Sequence, residues 1–107
     1  MPELPNESLD IRPKDLVRLI PLLRQHLPGS EVWAYGSRVK GTNQDASDLD
    51  LVVRNPRELA AETTELATAQ EALVESNIPI RVELLDWARI PVSFQQEIEK
   101  AYVVIPL

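Results

Sequence analysis

The stretch GSRVKGTNQDASDLDLVV, residues 36–53, decides how the chain folds and where its chemistry lies. Its last six residues, DLDLVV, alternate acidic and apolar side chains, a pattern that predicts a strand over 48–53. Side chains alternate across a strand, so Asp48, Asp50 and Val52 share one face while Leu49, Leu51 and Val53 share the other, toward a core. Two carboxylates on one face suit one or two Mg²⁺ ions, hard cations that take oxygen ligands. Gly36-Ser37 is separated from Asp48 by ten residues and directly follows EVWAY, residues 31–35, which reads as another strand. A glycine leaves backbone amides bare, and the neighbouring hydroxyl adds a donor, so the step suits a phosphate. The polar residues 38–47, with Gly41 among them, read as a turn or a single helical turn feeding a loop.

Working outward, Leu16, Leu19, Ile20, Leu23 and Leu27 recur at helical spacing from Pro13 onward. Pro21 falls inside that helix and predicts a kink or a split, and Pro28-Gly29 ends it. The polar, proline-containing residues 1–12 read as a loose lead-in, leaving 13–107 as a single domain. Downstream, Asn55, Pro56 and Glu58 form a capping pattern that predicts a helix to about Ser76, with Leu59, Leu66 and Leu73 buried. IRVELLD, residues 80–86, reads as a third strand. If Ile80, Val82 and Leu84 mark its core face, Glu83 projects to the other face, where a site could be assembled. Asp86 falls at the strand end. Pro91 and Ser93 open a last helix to about Lys100, with Phe94 and Ile98 inward. YVVI, residues 102–105, reads as a terminal strand whose free edge leaves pairing into a homo-oligomer open. The order α-β-β-α-β-α-β predicts an α+β fold: a small mixed sheet with helices packed on one side.

Composition narrows the function. The chain has 107 residues, 44% of them hydrophobic, enough for one small core. A formal charge of −6 argues against direct polynucleotide binding. Cysteine is absent, which excludes disulfides, cysteine-based zinc sites and thiol catalysis. No apolar run approaches the roughly 20 residues of a membrane span, and no signal-peptide pattern is visible, so a cytoplasmic location is expected. His26, the one histidine, has no partner ligand and reads as a helix C-terminal cation. Trp33 and Trp87 read as packing residues, with stacking on a base as the alternative.

The stretch 36–53 resembles the minimal nucleotidyltransferase family, within the DNA polymerase beta-like nucleotidyltransferase superfamily. RVELLDWARI, residues 81–90, and the final helix and strand lend further support. The resemblance implies that Gly36 and Ser37 bind the outer phosphates of a nucleoside triphosphate, ATP by expectation, with Arg38 assisting. It implies that Asp48, Asp50 and Glu83 are the catalytic carboxylates and ligate Mg²⁺. The family usually carries Asp where this chain has Glu83. An exposed strand-face glutamate beside Arg81 is the alternative reading of that residue, as ordinary turn chemistry is for Ser37. By resemblance, the activity is transfer of a nucleoside monophosphate to a hydroxyl of a partner protein. That partner is expected to be a HEPN-domain toxin, with this chain as its antitoxin. Two alternatives stand beside it: a degenerate antitoxin acting by binding alone, and a transferase acting on a small-molecule hydroxyl such as an aminoglycoside.

Overall fold

The computed structural model describes residues 3–41 and 48–107. Helix α1 (Pro13–His26) leads into β1 (Glu31–Tyr35), the short helix α2 (Ser37–Lys40), β2 (Leu49–Arg54) and α3 (Leu66–Glu75). Strand β3 (Val82–Asp86), a 3₁₀ turn at Trp87–Arg89, α4 (Val92–Glu99) and β4 (Val103–Val104) complete the order. The strands form one mixed sheet in the order β3-β2-β1-β4. Strand β1 pairs antiparallel with both β2 and β4, whereas β2 and β3 run parallel, joined through α3. The α+β class and the mixed sheet are those the sequence predicts. Part of the expected turn, residues 42–47, lies outside the described residues.

The predicted parity of β2 organises the core. Leu49, Leu51 and Val53 are fully buried and meet Leu19 and Leu23 of α1 and Ala69 and Leu73 of α3. Complete burial of each such side chain stabilises the fold by about 1.5–3 kcal/mol. The opposite face carries a smaller cluster of Trp33, Val52, Trp87 and Ile98, edged by Tyr35, Phe94 and Tyr102. Helix α4 thus covers part of the face that also bears Asp50. In that cluster Trp33 stacks on Tyr102 with centroids 3.8 Å apart and meets Trp87 edge-on at 5.4 Å. The Arg54 guanidinium lies 3.8 Å from the Trp33 centroid and 4.5 Å from that of Trp87, and it pairs with Glu31. Both tryptophans are packing residues, and cation–π attraction holds the arginine stem against them.

Four expectations need correction. The helix does not begin at Pro56. Asn55 does cap a turn, its Oδ1 accepting from Arg57 N at 3.0 Å and Glu58 N at 3.3 Å, but α3 starts only at Leu66. The reason is tertiary: Thr63 gives its N–H to Asp86 Oδ2 at 2.7 Å and its hydroxyl to Oδ1 at 3.3 Å, so that amide cannot join a helical ladder. Leu59 consequently stands 43% exposed, outside the buried stripe. The segment 3–12 is not loose, because Leu9 is buried in the core and Leu4 N donates to Tyr102 O at 2.8 Å. Asp10 N further donates to Arg38 O at 2.9 Å. Finally, α1 runs unbroken through Pro21. Pro21 has no N–H to give the Val17 carbonyl, and Val17 is 70% exposed, so the lost bond falls on the wetted side of the helix.

No helix among the described residues is long and apolar enough to cross a membrane.

Candidate active site

Backbone pairing brings the predicted carboxylates together. In the β1–β2 ladder Tyr35 faces Asp50, and in the parallel β2–β3 ladder Asp50 faces Glu83. The row Tyr35, Asp50, Glu83 therefore crosses three strands on one face, with neighbouring strands about 4.8 Å apart. Asp48 stands two residues earlier, at the mouth of β2, where Leu49 N donates to Arg81 O at 2.8 Å and fixes the strand's entry. Asp48 and Asp50 are half-buried and Glu83 is exposed. Burial first, then the charges of Glu83 and Asp48, pushes the Asp50 carboxyl above its ordinary range. The same burial, with Asp50 and Glu83 beside it, raises the Tyr35 phenol, which stays protonated across the physiological range.

Gly36 closes the site from below. Its φ of 83° and ψ of −153° lie in a region that essentially only glycine visits. A Cβ there would sit 2.8 Å from Asp50 Oδ2, so the absence of a side chain is what lets the carboxylate approach the backbone. The 3.1 Å bonds from Val39 N and Lys40 N to Gly36 O hold the turn as the start of α2. Ser37 is the first residue of that helix.

Arg38 is placed elsewhere. It is buried, and its Nη1 donates to Asp10 O at 2.8 Å, bordering a polar cavity of about 200 Å³ shared with Arg12, Asp15 and Ile80. One residue beyond Ser37 on a helix is a rotation of about 100°, which turns this side chain away from its neighbour's direction. The basic residue that α2 leaves exposed is Lys40, beside an apolar slot of about 150 Å³ formed by Tyr35, Gly36, Phe94 and Ile98. A cavity of about 400 Å³, lined by residues including His26, Ser30, Asn55 and Thr63, lies past the far end of β2 from Asp50. It belongs to a different part of the surface.

Asp86, at the end of β3, is buried and serves as an anchor for Thr63 and for Ala88 N. Two residues went unnoticed in the sequence. Tyr35 could have been found from parity, since it is two residues after Trp33 and immediately precedes Gly36. Gln70 carries no sequence signal; its side chain bonds the β3 backbone on either side of Glu83.

The three carboxylates offer the oxygen chemistry of a hard cation, and the raised Asp50 marks a concentration of negative charge that a cation would relieve. Among the described residues no three His, Cys, Asp or Glu side chains form a ready cage.

Residues 16–105 match the model of the nucleotidyltransferase domain family. Over 100 residues the chain is 42% identical to the "Probable protein adenylyltransferase MntA" of Haemophilus influenzae, covering 92% of this chain and 84% of that protein. Its fold is similar to that in a solved structure described as "Crystal structure of the toxin-antitoxin with AMP-PNP". That likeness has a TM-score of 0.67 at 20% identity, covers 85% of this chain and 72% of the other, and speaks to the fold alone. With the carboxylate row, the glycine turn and these matches in hand, the chain belongs to the nucleotidyltransferase domain family and is a nucleotidyl-transferring enzyme.

Proposed function

We propose that this chain transfers AMP from ATP to a side-chain hydroxyl of a partner protein, with Mg²⁺, in the cytoplasm, and that it thereby acts as the antitoxin of a HEPN-type toxin. The observation that carries the transfer is Asp50, flanked by Glu83 in register and approached by Gly36 to a distance no Cβ allows. The relative's description as a protein adenylyltransferase supports a protein acceptor. The toxin–antitoxin setting of the solved neighbour accords with the antitoxin role.

In this reading Gly36 and Ser37 cradle the outer phosphates, and Asp48, Asp50 and Glu83 hold the metal. Bound there, Mg²⁺ supplies neutralisation of the triphosphate charge and polarisation of the reacting oxygens. The acceptor oxygen bonds to the α-phosphorus as the bond from that phosphorus to the bridging oxygen breaks, releasing pyrophosphate. The hydroxyl proton passes to Glu83, the exposed carboxylate of the three. Positioning supplies most of the acceleration, so the rigid β2–β3 ladder is the scaffold that matters. Arg38, through Nη1, ties residue 10 to α2.

The competing reading is an antitoxin that binds its partner without modifying it. The exposed Glu83, one methylene longer than aspartate, is the feature that favours it. Label transfer from α-³²P-ATP to the protein encoded next to this chain, the candidate toxin, with and without Asp48→Asn plus Asp50→Asn, tests the proposal. Label on the toxin that needs both aspartates is expected. Neutralisation that survives the double substitution, with no label from any of the four nucleotides, overturns it.

A further inference from the structure

Among the described residues strand β3 is an edge strand, paired on one side with β2 and on the other with no strand. Its outer backbone groups nevertheless have a partner. Gln70 of α3 donates from Nε2 to Val82 O at 2.8 Å, and its Oε1 accepts from Leu84 N at 2.8 Å. One side-chain amide thus grips the two peptide groups on either side of Glu83, as a neighbouring strand would.

From this geometry we infer that Gln70 is the positioning residue for Glu83, an inference that rests on the metal role proposed for that carboxylate. The β2 ladder fixes Glu83 opposite Asp50 from one side, and Gln70 holds the same segment from the other. Edge strands fray where their outer groups are free, and a metal ligand on a fraying strand spends time out of reach. The need is acute here because glutamate has one more rotatable bond than aspartate, so its backbone must be the fixed point. Among the described residues the side-chain hydrogen bonds of Gln70 go to Val82 and Leu84, the neighbours of Glu83, so its effect falls on the third ligand. It shapes metal affinity and kcat, leaving the nucleotide KM alone.

Gln70→Met keeps the length and volume of the side chain and removes both hydrogen bonds. Mn²⁺ binding, followed by electron paramagnetic resonance with a non-hydrolysable ATP analogue present, is the first readout. Residues that orient a metal ligand typically cost about 10–100-fold in affinity when replaced, so at least a roughly tenfold weakening is expected. The kcat should fall similarly while the KM for ATP stays within about twofold. In a Glu83→Gln background the same Gln70→Met change should do nothing more to Mn²⁺ affinity, since its route is already cut. Unchanged Mn²⁺ affinity in Gln70→Met, or an equal loss in both backgrounds, overturns the inference. Wild type that binds no Mn²⁺ overturns the metal role and this inference together, which separates the two failures. Should Gln70→Met not fold, Gln70→Glu keeps the acceptor for Leu84 N and loses the donor to Val82 O. It should show an intermediate loss, and wild-type Mn²⁺ affinity in that folded variant refutes the inference equally.

Discussion

Replacing Gly36 by alanine tests the core of the site, because two penalties act there and a second glycine separates them. Gly36→Ala places a Cβ 2.8 Å from Asp50 Oδ2, well inside contact distance, and forces alanine to a φ of 83° and ψ of −153°. The backbone term alone costs on the order of 1–3 kcal/mol. The turn cannot swing clear, since it joins β1, paired to β2, to the first turn of α2. Asp50 must therefore yield by several tenths of an ångström, and a misplacement of about 1 Å in such a site costs on the order of 10²-fold in rate. Gly29, at φ 77°, offers open space instead: a methyl group added there meets nothing within 4 Å among the described residues. Gly29→Ala therefore carries a left-handed backbone penalty of about 1–2 kcal/mol and no steric one. Urea unfolding measures the stability of both variants, and single-turnover label transfer at saturating ATP measures their chemistry. Both should be destabilised, and only Gly36→Ala should lose transfer, by roughly 30–300-fold. Equal activity of the two folded variants would refute the claim that the Gly36–Asp50 approach sets the geometry of the carboxylates.

Other consequences are as direct. Asp50 has a raised folded-state pKa, so it stabilises the metal-free fold below its unfolded pKa, and that contribution disappears as pH rises through the folded value. Removing its charge should then stabilise the metal-free protein above that window: Asp50→Asn should raise Tm by a few degrees at pH 7, read by calorimetry in EDTA, while abolishing transfer. Asp86→Ala leaves Thr63 N without its acceptor and should cost about 2–3 kcal/mol in urea unfolding, with loosened amide-exchange protection across residues 60–65. Arg54→Lys keeps the charge but loses the planar stack on Trp33 and Trp87, and should cost about 1 kcal/mol by the same measurement. Lys100→Ala breaks only an exposed i,i+3 pair with Glu97 and should change stability by less than about 0.5 kcal/mol.

The alternation in residues 48–53 revealed the core face of β2 and, with it, the face that bears the acids. Parity likewise placed Glu83 opposite Val82 and Leu84, as the ladder with Asp50 bears out. What periodicity cannot carry is competition from distant groups. Asn55, Pro56 and Glu58 satisfy every local rule for a helix start, yet Asp86, 23 residues beyond Thr63, claims the Thr63 amide. Arg38 looked like a phosphate ligand because it neighbours Ser37, whereas the packing of residues 9–12 on α2 decided its direction. Val52 shares parity with Asp50 and still is fully buried, because α4 and Trp87 cover that stretch of the face. An amide gripping an edge strand, as Gln70 does, leaves no periodic trace at all.

Both tryptophans of the chain lie in the smaller cluster and neither in the larger one. Intrinsic emission is therefore a private channel for the face that carries α4 and the acids, whereas far-UV dichroism reports the backbone as a whole. If the two faces melt as one cooperative unit, the optical transitions coincide. If α4 lifts away first, emission shifts red while the ellipticity from α1 and the sheet persists, and the gap between the curves gives the free energy of uncovering that face alone.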